Sequence, residues 1–177
     1  MRKILIGGGA RCGKSELALR LARGLGERRI FIATAEAGDA EMASRIVRHS
    51  KERGPDFRTL EVPFELEAAF RSLKDVDVVV LDCLTLWLSN LLCRGFNEDD
   101  ILRRFKDWAA AARGLRCHLI VVSNEVGLGL VPETPLGRVF RDVAGRAHRL
   151  LAEGSDEVYF GVMGQMLRLK PAPVEAV

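Results

Sequence analysis

The sequence predicts an α/β domain with a mostly parallel central sheet flanked by helices. Three observations carry that expectation. Short β-branched runs recur that are apolar almost throughout, and longer stretches between them repeat apolar residues at helical spacing. A glycine-rich turn joins the first run to the first helical stretch. A strand wet on one face would alternate apolar and polar residues, whereas a run such as VVVL fits burial on both faces of a parallel sheet.

Taken in order, KILIG (3–7) reads as the first strand and KSELALRLARGLG as the first helix, with Leu17, Leu21 and Leu25 at helical spacing and a glycine stop. IFIAT (30–34) is the second strand. The stretch from Asp39 to Arg53 reads as a helix capped by Asp39 and stopped by Gly54-Pro55. VDVVVLD (76–82) is a third strand, followed by LTLWLSNLL and DDILRRFKDWAAAARG, two helices joined near Gly95-Phe96-Asn97. HLIVVSN (118–124) and EVYFGV (157–162) are further strands. Between them RVFRDVAGRAHRLLAEG lines up Val139, Val143, Ala147 and Leu150. With no repeat, linker or low-complexity tract, residues 1–177 are expected to form one domain.

Composition narrows the function. A net charge of +3 is too mild for a dedicated nucleic-acid binder, though local cations could serve a phosphate-bearing ligand. The four cysteines, Cys12, Cys83, Cys93 and Cys117, form no CxxC pair, which argues against structural zinc and a disulfide framework and fits a reducing cytoplasm. The apolar run after MRK is too short for a signal peptide, and no stretch approaches the roughly 18 apolar residues of a membrane span. A soluble, cytoplasmic protein is expected.

GGARCGKS, Gly8 to Ser15, fits G-x-x-x-x-G-K-[ST] and lies between a strand and a helix, the context the motif needs. Its backbone N–H groups would wrap a phosphate, Lys14 would reach the β/γ-phosphates, and Ser15 would face Mg²⁺. A structural glycine turn with a chance lysine is the competing reading. VVVLD (78–82) ends in an acid placed like a Walker B aspartate, so Asp82 would share the Mg²⁺ shell, unless it simply caps the next helix. Asn124 and Glu125 follow the next core strand and would face the nucleotide or the acceptor, or cap the turn. No NKxD guanine signature occurs, and the GLG after Val126 is a weak signal. These motifs give nucleotide binding and leave a small-molecule kinase level with an NTP-driven switch.

RIVRHSKERGP (45–55) holds one of three histidines among Arg45, Arg48, Lys51 and Arg53. On a helix, Met42, Ile46 and His49 fall on or beside the buried face. Glu41–Arg45 and Arg48–Glu52 make i,i+4 pairs outside it. Neighbouring cations disfavour imidazolium, and a neutral imidazole can attack phosphorus. By composition alone a surface histidine in a basic helix is the favoured reading.

The ordered set GGARCGKS, IATAEAGDAEMASRIVRH, RTLEVP, VVVLDCLTLWLSNLL and SNEVGLGLVPETPLGRVFRDVAGR resembles the bifunctional cobinamide kinase/cobinamide-phosphate guanylyltransferase family of cobalamin biosynthesis, along nearly the whole chain. The resemblance implies a RecA-like P-loop domain and two reactions. The aminopropanol hydroxyl of adenosylcobinamide takes the γ-phosphate of ATP or GTP. GTP then guanylylates a histidine, aligned with His49, and the GMP passes to adenosylcobinamide phosphate, giving adenosylcobinamide-GDP. The implied nucleotide contacts are Gly8, Gly9, Ala10, Arg11, Cys12, Gly13, Lys14 and Ser15, then Thr34, Ala35 and Glu36, then Ser50, Lys51, Glu52 and Arg53, with Glu61 and Asp82. Ser15 and Asp82 would hold Mg²⁺, and His49 and Lys14 would be catalytic. A homotrimer is implied as well.

Several positions depart from the family pattern. Cys12 stands for a serine, Ser50 for the arginine that commonly follows the histidine, and Phe57 for a tryptophan. Ala147-His148-Arg149 replaces x-Asn-Gln, and VMGQML differs from the usual ending. His118 opens a core strand and reads as structural; His148 has no assigned role. The expected function is the bifunctional transferase, with a single-activity kinase or a P-loop switch as alternatives.

Overall fold

The computed structural model describes the backbone of every residue except 37 and 39. It also describes the side chains of the remaining residues apart from Glu41, Arg45, His49, Lys51 and Glu52. The expected Asp39 cap and the Glu41–Arg45 and Arg48–Glu52 pairs therefore lie outside the described residues.

Eight strands form one sheet in the order β3-β2-β4-β5-β1-β6-β7-β8. These are β1 (Lys3–Gly8), β2 (Arg29–Ala33), β3 (Arg58–Glu61), β4 (Val78–Asp82), β5 (His118–Val122), β6 (Glu157–Val162), β7 (Gln165–Lys170) and β8 (Glu175–Ala176). The first six run parallel; β7 and β8 pair antiparallel. The helices are α1 (Lys14–Arg23), α2 (Ala40–Arg53), α3 (Leu66–Ser72), α4 (Leu84–Cys93), α5 (Glu98–Gly114) and α6 (Pro135–Glu153).

The all-apolar strands have the cause their composition suggests. Alternate residues go to opposite faces, and both faces are covered. Ile4, Ile6, Phe31, Val78, Val80, Ile120 and Val122 pack with Leu17, Ala18 and Ala22 of α1. Leu5, Ile30, Ile32, Val79, Leu81, Leu119 and Val121 pack under α3 to α6. In that second layer Trp108 is fully buried, with Phe70 and Phe105 each 5.6 Å away by ring centroids and Trp87 at 6.3 Å. Among the described residues, α2 adds no side chain to either apolar cluster, and Met42 and Ile46 are half-buried.

The elements absent from the sequence reading are those whose pattern is weak. β3 is a four-residue edge strand, RTLE, with mostly exposed side chains. α3 is two turns long and buries only Leu66 and Phe70. β7 follows β6 through Met163-Gly164, both at positive φ, the backbone a two-residue hairpin demands. α6 starts three residues before the expected RVFRD, because Thr134 caps it, its Oγ1 accepting from the Gly137 N–H, with Pro135 at the first position. Val143 and Ala147 are buried as expected, whereas Leu150 is 36% exposed. No described helix is long and apolar enough to cross a membrane.

Since the three partner rings of Trp108 cannot close over its removal, Trp108→Ala should cost about 3–5 kcal/mol in urea unfolding. A loss under about 1 kcal/mol would mean that the aromatic cluster is not the centre of this layer.

Candidate functional site

The parallel register gathers the carboxyl ends of five strands along one edge. Glu61 pairs with Ala33, Ala33 with Asp82, Asp82 with Val122, and Val122 with Ile6, two residues before the glycine turn. Loops leaving such an edge form the ligand crevice of open α/β sheets.

The glycine loop is held at a fixed depth. Gly8 and Gly13 take positive φ, and a Cβ at Gly8 would overlap the backbone of Gly161. A Cβ at Gly161 would in turn overlap the Cys12 Sγ, so the buried thiol seats the loop against β6. Gly9, Ala10, Arg11 and Gly13 remain exposed, leaving the loop open to a ligand at the N-terminus of α1. Lys14 is 6% exposed, and its Nζ donates to Gly9 O at 2.5 Å and lies 3.6 Å from Cys12 Sγ.

Ser15 and Asp82 meet. The Ser15 hydroxyl donates to Asp82 Oδ2 at 2.6 Å, joining α1 to the end of β4. With Glu16, Leu19, Arg23, Phe31 and Arg53 they line a cleft of about 320 Å³. Arg53 is 7% exposed and stacks on Phe31, its guanidinium carbon 4.2 Å from the ring centroid. Burial pulls its pKa below the ordinary arginine value, and the charges of Asp82 and Glu61 push back. The α2 end, the β4 acid and the α1 serine thus converge on one cleft.

The Thr34 side chain braces the end of β4. Fully buried, its Oγ1 accepts from the Cys83 N–H at 2.9 Å and donates to Cys83 O at 2.7 Å, fixing the chain just after Asp82. Asn90 of α4 donates to Thr34 O at 2.8 Å and to Pro63 O at 3.1 Å. Ala35 is half-buried, and exposed Glu36 pairs with Arg94 at 3.5 Å, while Arg94 covers the Phe64 ring. Ser50 and Glu61 are exposed. His49, Lys51 and Glu52 lie outside the described residues, so their expected roles stand on the sequence.

One cluster had no sequence signal beyond its residue types. Ser123 Oγ and His148 Nε2 are 2.6 Å apart, and His148 Nδ1 is 3.7 Å from Glu125 Oε2. Burial holds the His148 imidazole below its ordinary value of 6.5, against an opposing pull from Glu125. Ser123 and Glu125 sit where β5 exits and His148 sits on α6, far along the chain, so no local spacing could have joined them. The histidine count and the polar SNE after a core strand were the only hints.

As a metal site, the donor set is all oxygen: one hydroxyl and one carboxylate within hydrogen-bond distance of each other. Among the described residues no group of three or more His, Cys, Asp or Glu side chains could hold an ion. This suits an ion carried largely by substrate phosphates and water.

Residues 4–169 match the family described as cobinamide kinase / cobinamide phosphate guanyltransferase. The bifunctional adenosylcobalamin biosynthesis protein CobP of Pseudomonas aeruginosa is 44% identical, covering 98% of this chain and 100% of its own. The bifunctional adenosylcobalamin biosynthesis protein CobU of Salmonella typhimurium is 37% identical, covering 94% of this chain and 99% of its own. Among solved structures, the RadB recombinase aligns over 94% of this chain and 79% of that one, with a TM-score of 0.51 and 16% identity. At that identity the likeness speaks for the RecA-like P-loop ATPase fold alone.

Two expectations follow. Gly161→Ala should push Cys12 and the glycine loop out of place at the usual overpacking cost of about 1–3 kcal/mol, weakening nucleotide binding roughly 5- to 100-fold in calorimetric titration. Unchanged affinity would show that the loop does not lean on β6. Because the folded state resists protonation of His148, its contribution to stability is complete above the unfolded value near 6.5. It falls as pH drops from there toward the lowered folded value. Thermal melts from about pH 8 to pH 5 should show a steeper acid-side decline in the wild type than in His148→Gln. Equal slopes would assign the decline to other groups.

Proposed function

The chain belongs to the cobinamide kinase / cobinamide phosphate guanyltransferase family, and from that premise we propose how its residues divide the two reactions. The protein is a bifunctional transferase of cobalamin biosynthesis, a kinase for cobinamide and a guanylyltransferase for its phosphate. The observation that carries the kinase half is the 2.6 Å contact between Ser15 and Asp82 beside buried Lys14, at the strand ends where the glycine loop opens.

In the first reaction the Gly8–Ser15 loop wraps the phosphates of ATP or GTP, and Lys14 leaves Gly9 O for the β/γ-phosphate oxygens. The acceptor hydroxyl attacks the γ-phosphorus in line as the bond to the β,γ-bridging oxygen breaks, and the nucleoside diphosphate departs. Phosphoryl transfer of this kind needs positioning and charge neutralisation more than covalent participation. Ser15 and Asp82 would hold Mg²⁺, whose chemistry when bound is neutralisation of the phosphate oxygens. Arg53 supplies a further fixed cation beside them.

In the second reaction His49 is the nucleophile. Its ring nitrogen bonds to the α-phosphorus of GTP and pyrophosphate leaves. A phosphate oxygen of adenosylcobinamide phosphate then displaces the imidazole, yielding adenosylcobinamide-GDP. The covalent stage lets GTP and the bulky corrinoid occupy the site in turn. Helix geometry supports the assignment, since position 49 lies one turn before Arg53, about 6 Å along the axis of α2. Thr34–Glu36, Ser50–Glu52 and Glu61 complete the nucleotide surroundings. We extend the family's pattern to a homotrimer, to a cytoplasmic protein and to residues 1–177 acting as one domain, a reading that the continuous eight-stranded sheet supports.

Incubation with GTP labelled at the α-phosphate should leave acid-labile label on the wild-type chain, chased by cobinamide phosphate and absent from His49→Ala. Lys14→Ala should lower γ-phosphate transfer to cobinamide by about 100-fold or more. Label that persists in His49→Ala would remove the nucleophile from that position. Hydrolysis of nucleotide without transfer to cobinamide would return the protein to a P-loop switch.

A further inference from the structure

The Ser123–His148–Glu125 row has the order of a hydrolase relay and the opposite accessibility. Ser123 is fully buried, and its backbone N–H donates to Ile6 O at 3.0 Å inside the sheet. A hydroxyl so enclosed cannot reach a substrate. The open end is Glu125, whose side chain is 28% exposed against 15% for His148. Its Oε1 accepts from the Gly127 N–H at 2.5 Å, and Oε2 faces His148 Nδ1. In the tautomer with its proton on Nδ1, the ring accepts from Ser123 at Nε2 and turns its N–H toward the carboxylate.

Placement gives this carboxylate a use. The Glu125 N–H donates to Gly8 O at 2.9 Å, so the residue hangs from the first glycine of the phosphate loop. The other described acids of the crevice are placed for different work. Asp82 is tied to Ser15, Glu16 lines the Arg53 cleft, Glu36 pairs with Arg94, and Glu61 lies at the end of edge strand β3, four strands from β1. The neighbouring backbone is anchored too: Asn124 N–H donates to Thr85 Oγ1 at 3.1 Å, and Arg141 Nη2 donates to Gly127 O at 2.8 Å. A carboxylate with one oxygen on a backbone N–H and the other beside an imidazole is fixed in orientation, which is what a general base needs first.

We infer that Glu125 is the base for the acceptor hydroxyl in the kinase reaction and that His148, backed by Ser123, is the residue that positions it. The inference rests on the kinase reading above. As the alcohol oxygen bonds to the γ-phosphorus and the bridging P–O bond breaks, the alcohol proton passes to the Glu125 carboxylate, and from there to solvent.

The test follows γ-phosphate transfer to adenosylcobinamide, nucleotide affinity, and covalent label from α-labelled GTP, all on the full chain. Glu125→Gln should lower kcat for phosphorylation by about 10²- to 10⁴-fold while nucleotide affinity and guanylyl labelling stay within about threefold of wild type. His148→Leu should lower kcat by about tenfold with KM unchanged, and His148→Gln, which keeps an N–H for the carboxylate, should restore most of it. Glu125→Gln with kcat within about threefold of wild type would overturn the assignment, as would an equal loss of nucleotide binding, which marks a structural role. Equal rates for His148→Leu and His148→Gln would overturn the positioning role. A wild-type protein that labels with GTP yet transfers no γ-phosphate to cobinamide would overturn the kinase reading itself, and this inference with it.

Discussion

The hydrogen bond from Ser15 to Asp82 is the constraint around which the site is organised. β1 and β4 are not neighbours; β5 lies between them. The loop after β1 and the acid ending β4 meet only because α1 crosses over that face, and α1 crosses there because Leu17, Ala18 and Ala22 bury against Ile120, Val80 and Ile6. Packing of the lower layer therefore sets the distance between the two oxygens. The acid's own position depends on Thr34, which ties the residue after Asp82 to the end of β2. Four parallel strands and one helix are committed to a single contact of 2.6 Å.

Electrostatics build outward from that contact. Lys14 and Arg53 are cations with almost no water contact, and each rests on something easily given up: a carbonyl for Lys14, a phenyl face for Arg53. A buried carboxylate partner would have to be abandoned when phosphate arrives, at a large desolvation cost. A carbonyl or a ring is released more cheaply, so both cations could turn to an anion at little cost. Burial pulls the Arg53 pKa down, and the charges of Asp82 and Glu61 oppose that pull.

Legibility from sequence followed from where each signal resides. GGARCGKS and VVVLD carry their geometry locally, since glycines, a strand and a helix start are adjacent in the chain. The β1, β2, β4 and β5 cores were legible because burial on both faces leaves apolar runs; β6 reads as apolar although only Tyr159 and Gly161 are buried in it. RTLE was not, because an edge strand borrows its pairing from β2 and needs no apolar pattern of its own. Thr34 was identified as part of the site, but its side chain proved to be spent on Cys83, a role that depends on the register of β2 beside β4. Ser123, Glu125 and His148 were illegible as a group for the same reason: α6 reaches the end of β5 only through tertiary packing, and no spacing encodes it. The resemblance supplied His49, which periodicity alone left as a border residue.

The small residues at the loop obey a steric rule that links the departures to the chemistry. Gly8, Cys12 and Gly161 meet in one knot, where added carbon on either glycine collides with backbone or sulfur. A thiol is larger than a hydroxyl, and Met166 crowds the same point. The knot accommodates sulfur because both neighbours are glycine, so the loop backbone keeps its course. In a glycine loop of this kind the backbone N–H groups are the phosphate donors, and a side chain is tolerated in proportion to how little it moves that backbone. Cys12 meets that condition by pointing into β6, away from the open side of the loop.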